Sequence, residues 1–293
     1  MERLGILKTY KIYIGGKFPR TESGRYYSPK NASGEALANI CLSSRKDLRN
    51  AVVAARSAFG GWAERAAFNR SQIVYRIAEM LEGRRAQFLE ELMKQGSTKQ
   101  QAEKEINLSI DRIVYYAGWC DKYQQIFSTV NPVSSSHFNF SAMEPTGVVG
   151  VIAPEEGSLI GLVSTIIPII AGGNTVVCLA SEKLPLCAIT FAEVLQTSDV
   201  PGGVVNILTG NEKELLEHFG SHMDINALCY AGASEDHLTQ LNKLSTGNLK
   251  RIRNFEANCM DESSQSPYFI QDYQEVKTTW HPIENIGGST STY

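Results

Sequence analysis

From Val148 to Leu244 short apolar runs rich in β-branched residues alternate with helical patterns, and this alternation constrains the fold more than any other feature. The runs are Val148–Ile152, Thr175–Cys178, Val204–Leu208 and Ile225–Tyr230. Between and after them lie helical patterns at Leu159–Ala171, Cys187–Gln196, Glu212–Phe219 and Glu235–Leu244. Continuously apolar strands must be buried on both faces, which requires a parallel sheet between two helical layers. Right-handed crossovers then predict a doubly wound, Rossmann-like sheet with its site at the carboxyl ends of the strands.

The first half of the chain has a different texture. Tyr10–Ile14 reads as a strand that turns at Gly15 and Gly16, and residues 20–35 read as loop and hairpin. Helical periodicity runs from Ser43–Ser44 to Gly60–Gly61, with Leu48, Val52, Ala55 and Phe59 in register. Two further helices are predicted over Asn69–Met93 and Gln100–Tyr123. Phe138–Met143 alternates like a strand, residues 256–267 form a polar linker, Tyr268–Trp280 reads as extended, and Gly287–Tyr293 as a loose end.

At 293 residues with 43% hydrophobic and 20% charged residues, the chain has ample material for a core. A net charge of -3 gives no basic surface for nucleic acid or anionic membrane. No apolar run is long enough to span a bilayer, and the amino terminus lacks the pattern of a signal peptide, so a cytoplasmic protein is expected. The six cysteines are scattered without a C-x-x-C pair and the five histidines are dispersed. They read as buried small hydrophobes in a reducing compartment, with no metal site.

Several stretches resemble the aldehyde dehydrogenase family. They are Tyr13–Lys17, Asp47–Phe59 with Trp62, Tyr116–Trp119, Glu144–Pro154, Gly173–Val177, Ser181–Glu182, Pro201–Gly210 and Tyr230–Glu235. The resemblance runs from about residue 10 to 255. It implies an α/β fold of three parts: an aldehyde dehydrogenase-like nucleotide-binding domain over 1–255 with a helical N-terminal layer, a linker over 256–267 in place of the catalytic domain, and an oligomerisation arm over 268–293. The ending Lys277–Pro282 resembles that of short stand-alone members, which are similar to the degenerate second unit of fused two-unit aldehyde dehydrogenases.

The resemblance implies NAD as cofactor, held around Ile152, Pro154, Glu182, Gly232 and Ser234. It also marks departures. Leu179 stands where the family's ribose-binding lysine is expected, and Glu212 where a second glycine is expected. Glu155 and Glu156 stand in place of a Trp–Asn pair whose asparagine donates to the oxyanion; two adjacent glutamates read as a solvated turn. Phe255 falls on the general-base glutamate, with Glu256 one residue late and facing the opposite side of a strand. No cysteine lies in the family's nucleophile loop, Cys259 being the nearest to the missing part, so no catalytic residue is assigned. A non-catalytic subunit follows as the expectation, pairing through residues 270–280 with its own kind or with a full-length aldehyde dehydrogenase. The alternative is an NAD-binding subunit of an aldehyde-oxidising complex.

Overall fold

The computed structural model describes residues 6–31, 33–262 and 264–283. A small sheet opens the chain, with β1 (Thr9–Tyr10) and β2 (Tyr26–Tyr27) on either side of β3 (Asn39–Cys41). Tyr13 exchanges backbone hydrogen bonds with Ile207 at 2.9 and 2.8 Å, so the predicted first strand is used to extend the edge of the main sheet.

Helix α1 (Arg45–Ala63) starts where the sequence marks it. The Asp47 carboxylate accepts from the backbone N–H and the hydroxyl of Ser44, both at 2.8 Å, closing a capping box. The helix expected over Asn69–Met93 is two, α2 (Ala67–Gly83) and α3 (Arg85–Lys94), because the chain leaves helical geometry at Arg84. The next expected helix, Gln100–Tyr123, ends early as α4 (Lys99–Ala117), and a separate short α5 (Tyr123–Phe127) begins where it was expected to stop.

Strands β4 (Thr129–Asn131) and β5 (His137–Pro145) lead into the core. There the alternation holds as read: β6 (Val148–Ile152), α6 (Ile160–Ala171), β7 (Thr175–Leu179), α7 (Leu186–Gln196), β8 (Val205–Leu208), α8 (Glu212–Ser221), β9 (Ala227–Tyr230) and α9 (Glu235–Ser245), after which the structure adds an unexpected fifth strand, β10 (Arg251–Asn254). The five strands are parallel in the order β10-β9-β6-β7-β8. One face is covered by α1, α8 and α9 around Leu48, Val52, Leu215 and Phe219. The other is covered by α6 and α7, with α2, α3 and α4 stacked behind. Every residue of α6 is buried, which accounts for its being apolar all round instead of amphipathic.

Gly203 shows why glycine is needed where the sheet meets α1. Its φ is +97°, and a Cβ there would sit 2.6 Å from the Ala54 carbonyl oxygen.

The carboxyl-terminal part departs from expectation. Tyr268–Gln271, expected as extended, is a helical turn, α10, and the strand β11 begins at Gln274 and runs to Pro282. The sequence reading leaves this strand either its own sheet or another chain's and favours the latter. In the fold β11 pairs antiparallel with β5 of its own chain along its whole length, from Gln274↔Pro145 to Pro282↔His137, giving a sheet ordered β11-β5-β4. A local partner was available because β5 had a free side, which periodicity does not report.

The segment before β11 is folded down. Arg112, 1% exposed, donates to the carbonyls of Cys259 at 2.9 Å and Asp261 at 2.8 Å and to the Ser164 hydroxyl at 2.6 Å. Tyr116 Oη exchanges hydrogen bonds with the backbone of Ser266, 3.4 Å each way. Residues 287–293, expected as loose, lie outside the described residues. No described helix is long and apolar enough to cross a membrane.

Candidate functional site

The order of the sheet places a switch point between β6 and β9, the position where open parallel sheets take ligands. Ile152 ends β6, and its carbonyl accepts from Ala231 N–H at 3.0 Å. This bond brings the loop after β6, with Pro154, against the turn after β9, with Gly232 and Ser234. Glu182 follows β7, one strand over. The five residues singled out from sequence therefore lie along one carboxyl edge. They do not share a single cavity.

Glu182 alone of the five lines the cleft found there, a space of about 590 Å³ bordered also by Tyr27, Lys30, Glu155, Asn211 and His237. A larger open groove of about 810 Å³, including Arg65, Tyr75 and Asp199 in its lining, belongs to the helical layer and holds no residue of these strand ends. Sequence reasoning missed Tyr27, Lys30, Asn211 and His237. Tyr27 and Lys30 come from the amino-terminal hairpin, far from the Rossmann motifs in sequence. Asn211 sits directly after Gly210 at the start of α8, a placement that marks it as a cap and gives no sign of a site residue.

The cleft's polar groups are engaged with one another. Both oxygens of Glu182 accept from Asn211 Nδ2, at 3.1 and 2.9 Å, while Asn211 Oδ1 caps α8 by accepting from Glu214 N–H. Glu212 Oε1 lies 2.8 Å from His237 Nδ1. Glu155, read as part of a solvated turn, instead ties down the loop after β7. Its carboxylate accepts from the Ser181 hydroxyl at 2.8 Å and from the backbone N–H of Glu182 and Lys183 at 3.1 and 3.0 Å. Glu156 beside it is exposed. Burial and the nearby Glu182 and Glu155 carboxylates push the Tyr27 hydroxyl well above the usual phenol range.

The turn after β9 is filled from within the chain. Tyr230 Oη accepts from Ser234 N–H and donates to the Ser234 carbonyl, both at 3.2 Å. The phenol lies so close over Gly232 that a Cβ there would be 2.5 Å from its oxygen. Burial is the main cause that pushes this phenol up to about 12, so it stays protonated as a donor at neutral pH. Leu179, where the resemblance expects a lysine, is 2% exposed and packs in the core.

The positions expected for acyl chemistry are equally committed. The first amides of α6 face the buried carboxylate of Glu105, which accepts from Leu159 N–H at 2.7 Å and Ile160 N–H at 3.1 Å. Desolvation raises this carboxyl above its ordinary range. Phe255 packs against Phe269 with the rings tilted by 50°, centroids 5.1 Å apart, while the neighbouring Glu256 is exposed and accepts from Asn254 Nδ2 at 2.7 Å. Cys259 is 7% exposed among Leu108 and Ile160, and burial raises its thiol. All six cysteines are free and buried.

A model of the aldehyde dehydrogenase family matches residues 19–256. The chain belongs to the aldehyde dehydrogenase family. A Bacillus subtilis (strain 168) protein described as the aldehyde dehydrogenase DhaS is 33% identical over 232 residues, which is 78% of this chain and 46% of the relative. The cytosolic 10-formyltetrahydrofolate dehydrogenase of Mus musculus is 30% identical over 258 residues, 86% of this chain and 29% of the relative. An aldehyde dehydrogenase from Bacillus cereus, solved as an NAD+ complex, superposes with a TM-score of 0.79 at 29% identity, covering 84% of this chain and 50% of the other. The chain thus spans half or less of the length of these relatives, and the matched part is a Rossmann-like α/β domain.

Proposed function

We propose that this chain is a non-catalytic member of its family, a structural or regulatory subunit that assembles with its own kind or with a full-length aldehyde dehydrogenase. The observation that carries the reading is the path of the chain after the family match ends at residue 256. Residues 257–267 run directly into α10 and β11, and Arg112 and Tyr116 hold that path closed against α4. Between these points there is no room for a nucleophile-bearing domain. The acyl-chemistry positions support the same reading, since Glu156 puts an exposed carboxylate where an oxyanion donor is expected and Phe255 cannot act as a base.

The fit to NAD is poor on the residues present. Leu179 offers no donor to a ribose, Tyr230 occupies the Ser234 amide that a phosphate would need, and Glu212 adds a carboxylate to the cleft. Aldehyde-dependent NADH formation, followed at 340 nm with the purified protein and a panel of aldehydes, is expected to stay at background. Turnover above background that saturates with aldehyde would overturn the proposal.

The second reading, an NAD-binding subunit of an aldehyde-oxidising complex, is favoured by Glu182 at the cleft, whose oxygens keep lone pairs free for ribose hydroxyls. Calorimetric titration with NAD to millimolar concentration separates the two. Saturable heat supports the second reading, and a flat titration leaves the first.

A further inference from the structure

Helices α1 and α8 meet over Leu48, which is buried in one core cluster with Leu215 and Phe219. Beside that contact they leave a groove of about 290 Å³. Arg45, Leu48 and Arg49 of α1 line one side of it, and His218, Ser221, His222 and Met223 come from the end of α8 and its exit. The groove shares no residue with the cleft at the strand ends, which takes Asn211, Glu212 and Lys213 from the opposite end of α8. Arg45 and Arg49 are four residues apart, so they leave α1 on one side with Cβ atoms about 5–6 Å apart. His218 and His222 are stacked a turn apart in the same way, the His222 N–H donating to the His218 carbonyl at 3.2 Å. Two guanidiniums from one helix and two imidazoles from the other thus line one small groove.

The charge in the groove is left unbalanced. Neighbouring cations are paired, Lys46 with Glu22 at 2.7 Å and Arg25 with Glu214 at 2.8 Å. Arg45 and Arg49 are exposed, and neither side chain has a hydrogen bond or ion pair among the described residues. Both lie in the first turns of α1, where the helix dipole opposes a cation, so neither is placed there for the helix's stability. The Ser44–Asp47 capping box occupies the helix end, and attraction in the groove therefore rests on side chains. The carbonyls that end α8 would repel an anion, but the buried Lys250 ammonium takes those of Phe219 and His222 at 3.3 and 2.8 Å. Asp224 N–H donates to His222 Nδ1 at 3.2 Å, which leaves Nε2–H as the donor of that ring. Burial holds the His222 imidazole below its ordinary range, and Lys250 and Arg56 push it the same way against Asp224.

We propose that the groove between α1 and the end of α8 binds a phosphate monoester carrying a small apolar body. The guanidiniums of Arg45 and Arg49 hold the phosphoryl oxygens, whose number and charge suit two planar forks better than a single carboxylate would. His222 Nε2 and the Ser221 hydroxyl donate from the opposite side. Leu48 forms an apolar floor, and Met223, 64% exposed, a flexible apolar wall for the rest of the molecule. The site requires neither NAD nor assembly, so it stands or falls separately from both readings above.

Titration of the isotopically labelled full chain with phenyl phosphate, followed by amide chemical shifts, tests the assignment. Saturable shifts are expected at residues 45–49 and 218–223, and phenol, which lacks the phosphoryl group, is expected to give none. Arg49→Gln is expected to weaken binding roughly tenfold or more, because a charge-assisted bond is lost. The double change Arg45→Gln with Arg49→Gln is expected to abolish saturation. Its thermal midpoint is expected to stay level or rise, since removing cations from the first turns of a helix relieves a repulsion. No saturation with phenyl phosphate at millimolar concentration would overturn the proposal, as would shifts centred on Glu182 and Asn211 or equal binding by the double variant. A fall in the thermal midpoint of that variant would mark the arginines as structural and overturn it too.

Discussion

Arg112 illustrates how one buried side chain can fasten a polar segment to the core. Its guanidinium is buried, and desolvation lowers its pKa, yet it is kept charged by carbonyls and a hydroxyl that accept from it. Removing it as Arg112→Leu strands the buried Cys259 carbonyl and takes the Ser164 hydroxyl's donor away. The expected cost is about 3 kcal/mol in urea denaturation, since each unsatisfied buried group costs roughly 1–3 kcal/mol. Hydrogen exchange is expected to rise in 258–266 before it rises in β6 or β7. Equal acceleration everywhere would mean that Arg112 merely supports the core. Glu155 is the counterpart at the cleft. In sequence it is one of two adjacent glutamates and reads as solvated, and its role exists only because the loop after β7 brings three donors to it.

At the scale of elements, α8 couples the fold to the cleft through its first residue. Asn211 caps the helix with Oδ1 and holds Glu182 with Nδ2. Asn211→Ala is expected to cost about 1 kcal/mol as a lost N-cap, measured by thermal or urea unfolding. It also frees Glu182, so any NAD affinity detected in the parent protein is expected to rise, a result opposite to that of a simple binding residue. Elements were legible in sequence where burial was complete. Strands β6, β7, β8 and β9 are buried at every position, so their apolar runs are continuous. Edge elements were not. Residues Arg251–Asn254 of β10 are half-exposed or exposed and carry two arginines, and Thr129–Asn131 of β4 is exposed over most of its length, so neither shows a strand signature. The break between α2 and α3 was hidden because Arg84 and Arg85 are good helix formers.

For the whole molecule, the buried thiols set the response to alkaline pH. Burial raises Cys120 and Cys229 to about 12 and raises Cys178, Cys187 and Cys259 as well. An unfolded chain ionises these thiols near pH 8.5, while the folded chain keeps their protons. Above that pH the folded state binds more protons, so stability present at neutral pH is lost as pH rises. Lys250 acts in the other direction. Desolvation lowers it to about 8 while its ammonium donates to the carbonyls of Phe219 and His222, so stability from this group rises between about pH 8 and 10. Five thiols outweigh one lysine. The urea midpoint in reducing buffer is expected to fall between pH 7.5 and 10, and Lys250→Met is expected to steepen that fall. A flat profile would show that the thiols are accessible in the folded chain.

The sequence alone determined the alternation of strands and helices, hence the parallel sheet, its two helical layers and the edge where a site must lie. Those features follow from local periodicity and from the rule that buried strands are apolar throughout. It also carried the family, through motifs spaced along residues 10–255. Tertiary structure alone decided what occupies that edge: that Tyr230 closes over Gly232, that Glu182 is held by Asn211, and that the amino-terminal hairpin supplies Tyr27 and Lys30. It alone decided that the polar segment 256–267 is fastened by Arg112 and Tyr116, and that β11 returns to β5. Each of these depends on which distant side chains meet, and a hydrogen bond formed across a hundred residues leaves no period in the chain to read.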